Sequence, residues 1–238
     1  MSSENNETLL LTRQYLDQTI ALYMSYEYLV VEFLVDEQHP GERLGGYPDM
    51  ERIYFPAWLN HKTVENAVAR AGGRLWGAWY GGMFGLATNR FIVVSSGQSI
   101  LAQDDFIQAL APEGMTLTIV DYQSLTPTVR PLNRAPITRF GFFVFRWLRL
   151  APGSIDEWTG LCNETWPNFQ QHSRSECLAV WEVDRDDHLA DEVLMCTWYE
   201  DLYSWDHSRE VDSADAPKWR RRAELEYNHW GIGARRMR

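Results

Sequence analysis

"RFGFFVFRWLRL", from Arg139 to Leu150, decides the fold. Successive residues of a strand point to opposite faces of a sheet. Phe143, Phe145 and Trp147 fall on one face here, and Phe142, Val144 and Leu148 on the other. "EVLMCTWY" (Glu192–Tyr199) does the same, with Val193 and Met195 against Leu194, Cys196 and Trp198. A sheet apolar on both faces needs cover on both. Helices of the same unit can cover one face. A second sheet, from a sister unit or another chain, must cover the other. That predicts an α+β barrel.

The segments around this strand set the order of elements. "APGS" breaks the strand, with Ser154 placed to cap a helix and Glu157 to complete a capping box. In "IDEWTGLCNETWPNFQQH", Ile155, Trp158, Leu161, Cys162 and Thr165 share one helical face. "ECLAVWEVD" and "DEVLMCTWYE" form a hairpin. A short helix follows, with Asp201 as N-cap and Leu202, Trp205 and Arg209 on one face. "APKWRRRAELEYNHW" reads as a closing helix with Pro217 in its first turn.

The N-terminal half repeats this order. "EYLVVEFLVDE" is a strand, Met50–Ala71 is mostly helical with a break at Pro56, and "GGRLWGAWYGG" pairs with "NRFIVVSS". A short helix ("AQDDFIQAL") and a strand ("MTLTIVDYQ") complete it. Three anchors align the halves. Pro40-Gly41 matches Pro152-Gly153, "FPAWLNH" (Phe55–His61) matches "WPNFQQH" (Trp166–His172), and Trp79 with "NRFIVV" matches Trp181 with "DEVLMC". Each half is then β-α-β-β-α-(β), a ferredoxin-like unit. The division is a helical extension (1–26), a first unit (27–123), a proline-bearing linker (124–138) and a second unit ending in a helix (139–238). On this alignment His61 and His172 occupy equivalent places.

"LAPGSIDEW", "TWPNFQQH", "LAVWEVD" and "DEVLMCTWYEDLYSWDHSRE" together resemble the NIPSNAP family over about Arg139–Trp219. The first half is similar only through the duplication. The resemblance implies the dimeric α+β barrel superfamily, which includes cofactor-free monooxygenases, isomerases, stress-response barrels and haem enzymes. Fold alone does not choose among them.

The net charge of −11 argues against general nucleic-acid affinity, which needs clustered Lys and Arg. One basic segment stands out: Lys218, Arg220, Arg221, Arg222, Arg235, Arg236 and Arg238. It is a solvated face or a dock for an acidic partner. Three cysteines without CxxC spacing read as reduced core thiols of a cytoplasmic protein. No apolar run is long enough to span a membrane. A homo-oligomer is possible if another chain supplies the second sheet.

Candidate chemistry is sparse. "GGMFG" lies between strands, so it is no phosphate loop, and "DRDDHLADE" has no metal-site spacing. No metal or cofactor is expected. His61 and His172 are candidate general bases. Arg146 interrupts an apolar strand, which makes it a candidate oxyanion partner or an end-of-strand ion pair. Tyr199, Trp181 and Trp198 are candidate ligand contacts. The expected function is binding or transforming a small hydrophobic or aromatic molecule, by cofactor-independent oxygenation or isomerisation if catalytic. The alternative is a non-catalytic interaction or assembly protein.

Overall fold

The computed structural model describes residues 27–36, 58–81, 84–85, 90–97, 102–111, 116–184, 190–210 and 214–237. The expected helical extension (1–26) lies outside these residues. The first unit comprises β1 (Glu27–Asp36), α1 (His61–Arg70), β2 (Arg74–Tyr80), β3 (Arg90–Gly97), α2 (Gln103–Leu110) and β4 (Thr116–Arg130). The second comprises β5 (Phe142–Leu150), α3 (Ile155–Ser173), β6 (Ser175–Val183), β7 (Asp191–Tyr199), α4 (Leu202–His207), α5 (Ala216–Leu225) and β8 (Glu226–Arg236).

The eight strands close into one barrel in the order β1-β3-β2-β8-β5-β7-β6-β4. Within each unit the order is fourth, first, third, second, the ferredoxin-like arrangement. The fourth strand of each unit pairs with the second strand of the other. The sister sheet therefore supplies the second cover, and the barrel closes within one chain.

The two-faced strands behave as their alternation dictates. Phe143, Phe145, Trp147, Leu194 and Cys196 fill the barrel with Trp76, Trp79 and Trp181. Trp76 and Trp181 meet edge-on at 5.0 Å, and Trp79 meets Phe145 at 4.9 Å. Gly77 makes this packing possible: a Cβ there would lie 2.2 Å from the Trp79 ring. On the outer faces, Leu148, Val193 and Met195 pack beneath α3 with Trp158, Cys162 and Trp166. In the first unit Val64, Ala67 and Val68 of α1 and Phe106 of α2 pack on Leu75, Phe91 and Val93.

Four expectations need correction. The segment taken as linker from Ser124 is strand as far as Arg130. Its first part pairs with β1 and its last with β6, with a register irregularity between Pro127 and Arg130. Proline has no N–H for the ladder, so it is accommodated where the ladder is interrupted. Thr128 Oγ1 donates to Val180 O (2.7 Å) across that gap. Second, the closing helix ends at Leu225, and Glu226–Arg236 is the barrel's last strand. Third, the Ser154 side chain does not cap α3. Its hydroxyl donates to Ala151 O, and Asp191 accepts from the Ser154 N–H (3.0 Å). Asp201, by contrast, caps α4 as expected, accepting from Ser204 N (2.7 Å).

The fourth correction concerns the duplication. Strand order supports it, but one anchor was misplaced. His61 is the first residue of α1, capped by Asn60, whereas His172 is the penultimate residue of α3. The first unit's extra residues lie between β1 and α1, which are separated by 24 residues against four between β5 and α3. They do not lie between helix and hairpin. The Trp79–Trp181 anchor holds, since both rings sit in the barrel interior.

Candidate functional site

Arg146 sits in the middle of β5 on its outward face, opposite Met195 of β7 and Gly231 of β8. A Cβ at Gly231 would lie 3.3 Å from Arg146 Cγ and 3.1 Å from Phe145 O, so glycine makes room for the arginine stem. The guanidinium runs along β7. It donates to Tyr199 Oη (3.2 Å) and, more weakly, to Thr197 Oγ1 (3.5 Å). No end-of-strand ion pair forms, because no carboxylate among the described residues meets Arg146.

This side chain lies on the wall of a cavity of about 190 Å³ between the second unit's sheet and its helices. Its aromatic lining comes from α3 (Trp166, Phe169), α5 (Trp219) and β7 (Tyr199). The spacing of Trp166 and Phe169, three residues apart, places both on one helix face. Arg209 and Arg222 also line it. Arg222 is paired with Glu226 (3.1 Å) and lies over Trp219 (4.4 Å). Arg209 lies over the Trp205 ring (4.4 Å), a cation–π contact between two residues placed on one helical face. Cys177 contributes a thiol that burial pushes up to about 12, so it is a neutral, inert wall at ordinary pH.

The other candidates are elsewhere. His172 lines a neighbouring groove with Asn168, Glu210 and Asp215. Its Nδ1 donates to Asn168 O (2.8 Å), one helical turn back. Phe169 and Trp219 border both spaces. His61 belongs to the first unit. Its pKa is lowered by burial first and by Arg236 second, and its Nε2 is buried without a partner. Trp181 is a barrel-core residue, fully buried. Trp198 packs at the barrel's end, donating from Nε1 to Phe140 O (2.9 Å) beneath the Arg139 guanidinium. The structure therefore brings together Arg146 and Tyr199 and leaves His61, His172, Trp181 and Trp198 outside their cavity.

Sequence reasoning missed Trp166, Phe169, Trp219 and Arg222 as cavity residues. The available signal was a pair of helical spacings, 166 with 169 and 219 with 222. Part of the basic segment is engaged within the chain. Lys218 pairs with Glu164 (2.9 Å) and Arg221 with Glu157 (2.6 Å), both on α3.

A haem does not fit this cavity. The described lining has no histidine, Cys177 is held as a thiol, and the volume suits a single ring rather than a porphyrin. Among the described residues no cluster of His, Cys, Asp or Glu could hold a metal ion. Nor is any described helix long and apolar enough to cross a membrane.

The sequence matches no family model and no curated protein. Solved structures do resemble it. A variant of the chlorite dismutase of Candidatus Nitrospira defluvii has a TM-score of 0.55 at 7% identity, covering 93% of this chain and 95% of that one. A proposed monooxygenase from Lactobacillus acidophilus has 0.51 at 7% identity, covering 89% and 93%. An anthrone oxidase-like protein has 0.50 at 12% identity, covering 89% and 92%. At such identities the likeness concerns the fold, and it agrees with the strand order: the chain is an α+β barrel of two ferredoxin-like units.

Proposed function

We propose that this chain is a NIPSNAP-like barrel protein that binds a small, largely aromatic or apolar molecule in the cavity between β5–β7 and helices α3 and α5. One observation carries the reading. Between the second unit's sheet and its helices lies a space walled by Trp166, Phe169, Trp219 and Tyr199, with a half-buried arginine on its wall. Binding pockets combine apolar walls with a few placed polar groups in this way. The names of the neighbouring folds, monooxygenase and oxidase-like among them, are compatible with small-molecule handling. The NIPSNAP likeness rests on the second unit, which also holds the cavity.

Binding is better supported than turnover. Oxygenation or isomerisation without a cofactor needs a base beside the substrate. The described lining offers arginines, a phenol, the Thr197 and Ser208 hydroxyls and a high-pKa thiol, and His172 stands in the adjoining groove. The alternative, an assembly protein, would use the N-terminal extension, which lies outside the described residues, and the basic segment, of which Lys218 and Arg221 pair with α3.

Ligand-observed NMR with a cocktail of small aromatic and aliphatic molecules tests the proposal. Ser208, which lines the cavity and is half-buried, is the position to block. Several single-ring compounds should bind, and Ser208→Trp should abolish their signals while leaving the far-UV spectrum unchanged. No hits, or hits that survive Ser208→Trp, would overturn the reading.

A further inference from the structure

We infer that the occupant of this cavity is an organic anion, a single-ring or short aliphatic carboxylate whose carboxylate group is received by Arg146 and Arg209. The inference rests on the cavity being a binding site and adds the ligand's chemical class. The chain carries 33 acidic residues against 22 Lys and Arg, yet no acid is among the cavity's described lining residues and three arginines are. Arg222 has its counter-ion in Glu226. Arg146 and Arg209 meet no carboxylate among the described residues.

Arg146 is the more telling of the two. A guanidinium has five N–H donors, and the partners of Arg146 are two neutral hydroxyls. Tyr199 and Thr197 fix its plane without neutralising it. Placing a cation on an apolar sheet face is costly unless it is paired. An arginine so held, with donors to spare beside an open volume, is arranged for two-point contact with a carboxylate. Arg209, anchored on Trp205, adds a second positive charge near the α4 end of the cavity. Trp166, Phe169 and Trp219 then take the apolar body. Drug-sized pockets run to roughly 300–1,000 Å³, so the smaller volume here limits that body to about one ring.

The test is isothermal titration of the full chain with benzoate and phenylacetate, each against its neutral amide, benzamide and phenylacetamide. Both carboxylates should bind at least tenfold more tightly than their amides. Arg146→Gln should remove that preference while leaving the weak amide affinity in place. Where Arg146→Gln does not fold, Arg209→Gln, at an exposed position, carries the test. It should weaken carboxylate binding several-fold and leave amide binding alone. Amides that bind as tightly as carboxylates overturn the inference and leave the cavity reading standing. So does a carboxylate preference that survives both substitutions. Failure of all four probes while other fragments bind and are lost in Ser208→Trp also rejects the anion class alone. Failure of every fragment rejects the cavity reading with it.

Discussion

The two units share a strand order but finish their outer faces differently. β3 and β7 align with Val93 opposite Val31 in the first unit and Met195 opposite Arg146 in the second. Val31 thus holds the register position of Arg146. On the other side, Val31 pairs with Tyr122, where Arg146 pairs with Gly231. Gly97 stands where the second unit has Tyr199. In the first unit the half-buried Tyr122 packs against the outer-face cluster of α1 and α2. In the second, a glycine, an arginine and a tyrosine leave a polar-floored space. Three register positions therefore differ between the units, while both units contribute to one barrel core.

The sharpest way to break this comparison is to attack what the units share. Trp79 and Trp181 occupy matching interior positions, both fully buried. Trp→Ala at either should cost about 3–5 kcal/mol, the usual range for a large buried aromatic. If the interior is one shared core, urea unfolding of each variant stays a single transition seen alike by fluorescence and circular dichroism. Two separated transitions in either variant would show that the units fold independently, and the common core would be lost as an idea.

The second test sharpens what differs. Arg146→Val carries the first unit's residue into the second. An uncompensated half-buried charge is removed, so stability should be unchanged or rise by about 1 kcal/mol, as when a functional site is relieved of its burden. Carboxylate binding should fall at the same time. A loss of 2 kcal/mol or more on substitution would instead make Arg146 a structural residue, and its cavity incidental.

Much of this was legible in the sequence. The two-faced apolar strands forced a second sheet, and Arg146 stood out because nothing else interrupts β5 in mid-course. Other features were hidden for physical reasons. Pro127 disguised the end of β4, since a proline inside a strand ordinarily marks an edge or a loop, and only the irregular ladder shows how it is accommodated. Glu226–Arg236 follows directly from α5 without a breaker, so the helical pattern ran past its end. The cavity joins six separate segments, β5, α3, β6, β7, the turn after α4, and α5, and no local pattern reports their convergence. The equivalence of the two histidines was misleading for a related reason. Aromatic, proline and histidine recur at one spacing in both halves, but His61 opens its helix and His172 nearly closes its own.

That displacement has a consequence for pH. His61 opens α1, where the helix's positive end already disfavours imidazolium, and burial is the largest cause lowering its pKa. Arg236 and Lys62 lower it further, and Glu65 opposes them. Its folded value thus lies below the unfolded 6.5. Above pH 6.5 both states are mainly neutral at this residue, and it contributes no pH dependence. As the pH falls through 6.5 the unfolded chain takes up the proton first, so stability declines until the folded value is reached. Moving from pH 7.5 to 5.5 should therefore lower the melting temperature of the wild type more than that of His61→Gln. His61 keeps part of its surface in solvent, so the difference should be the smallest of the effects predicted here. Equal decline in the two proteins would mean that the imidazole is as easily protonated folded as unfolded, and that its buried Nε2 finds a proton acceptor on acidification.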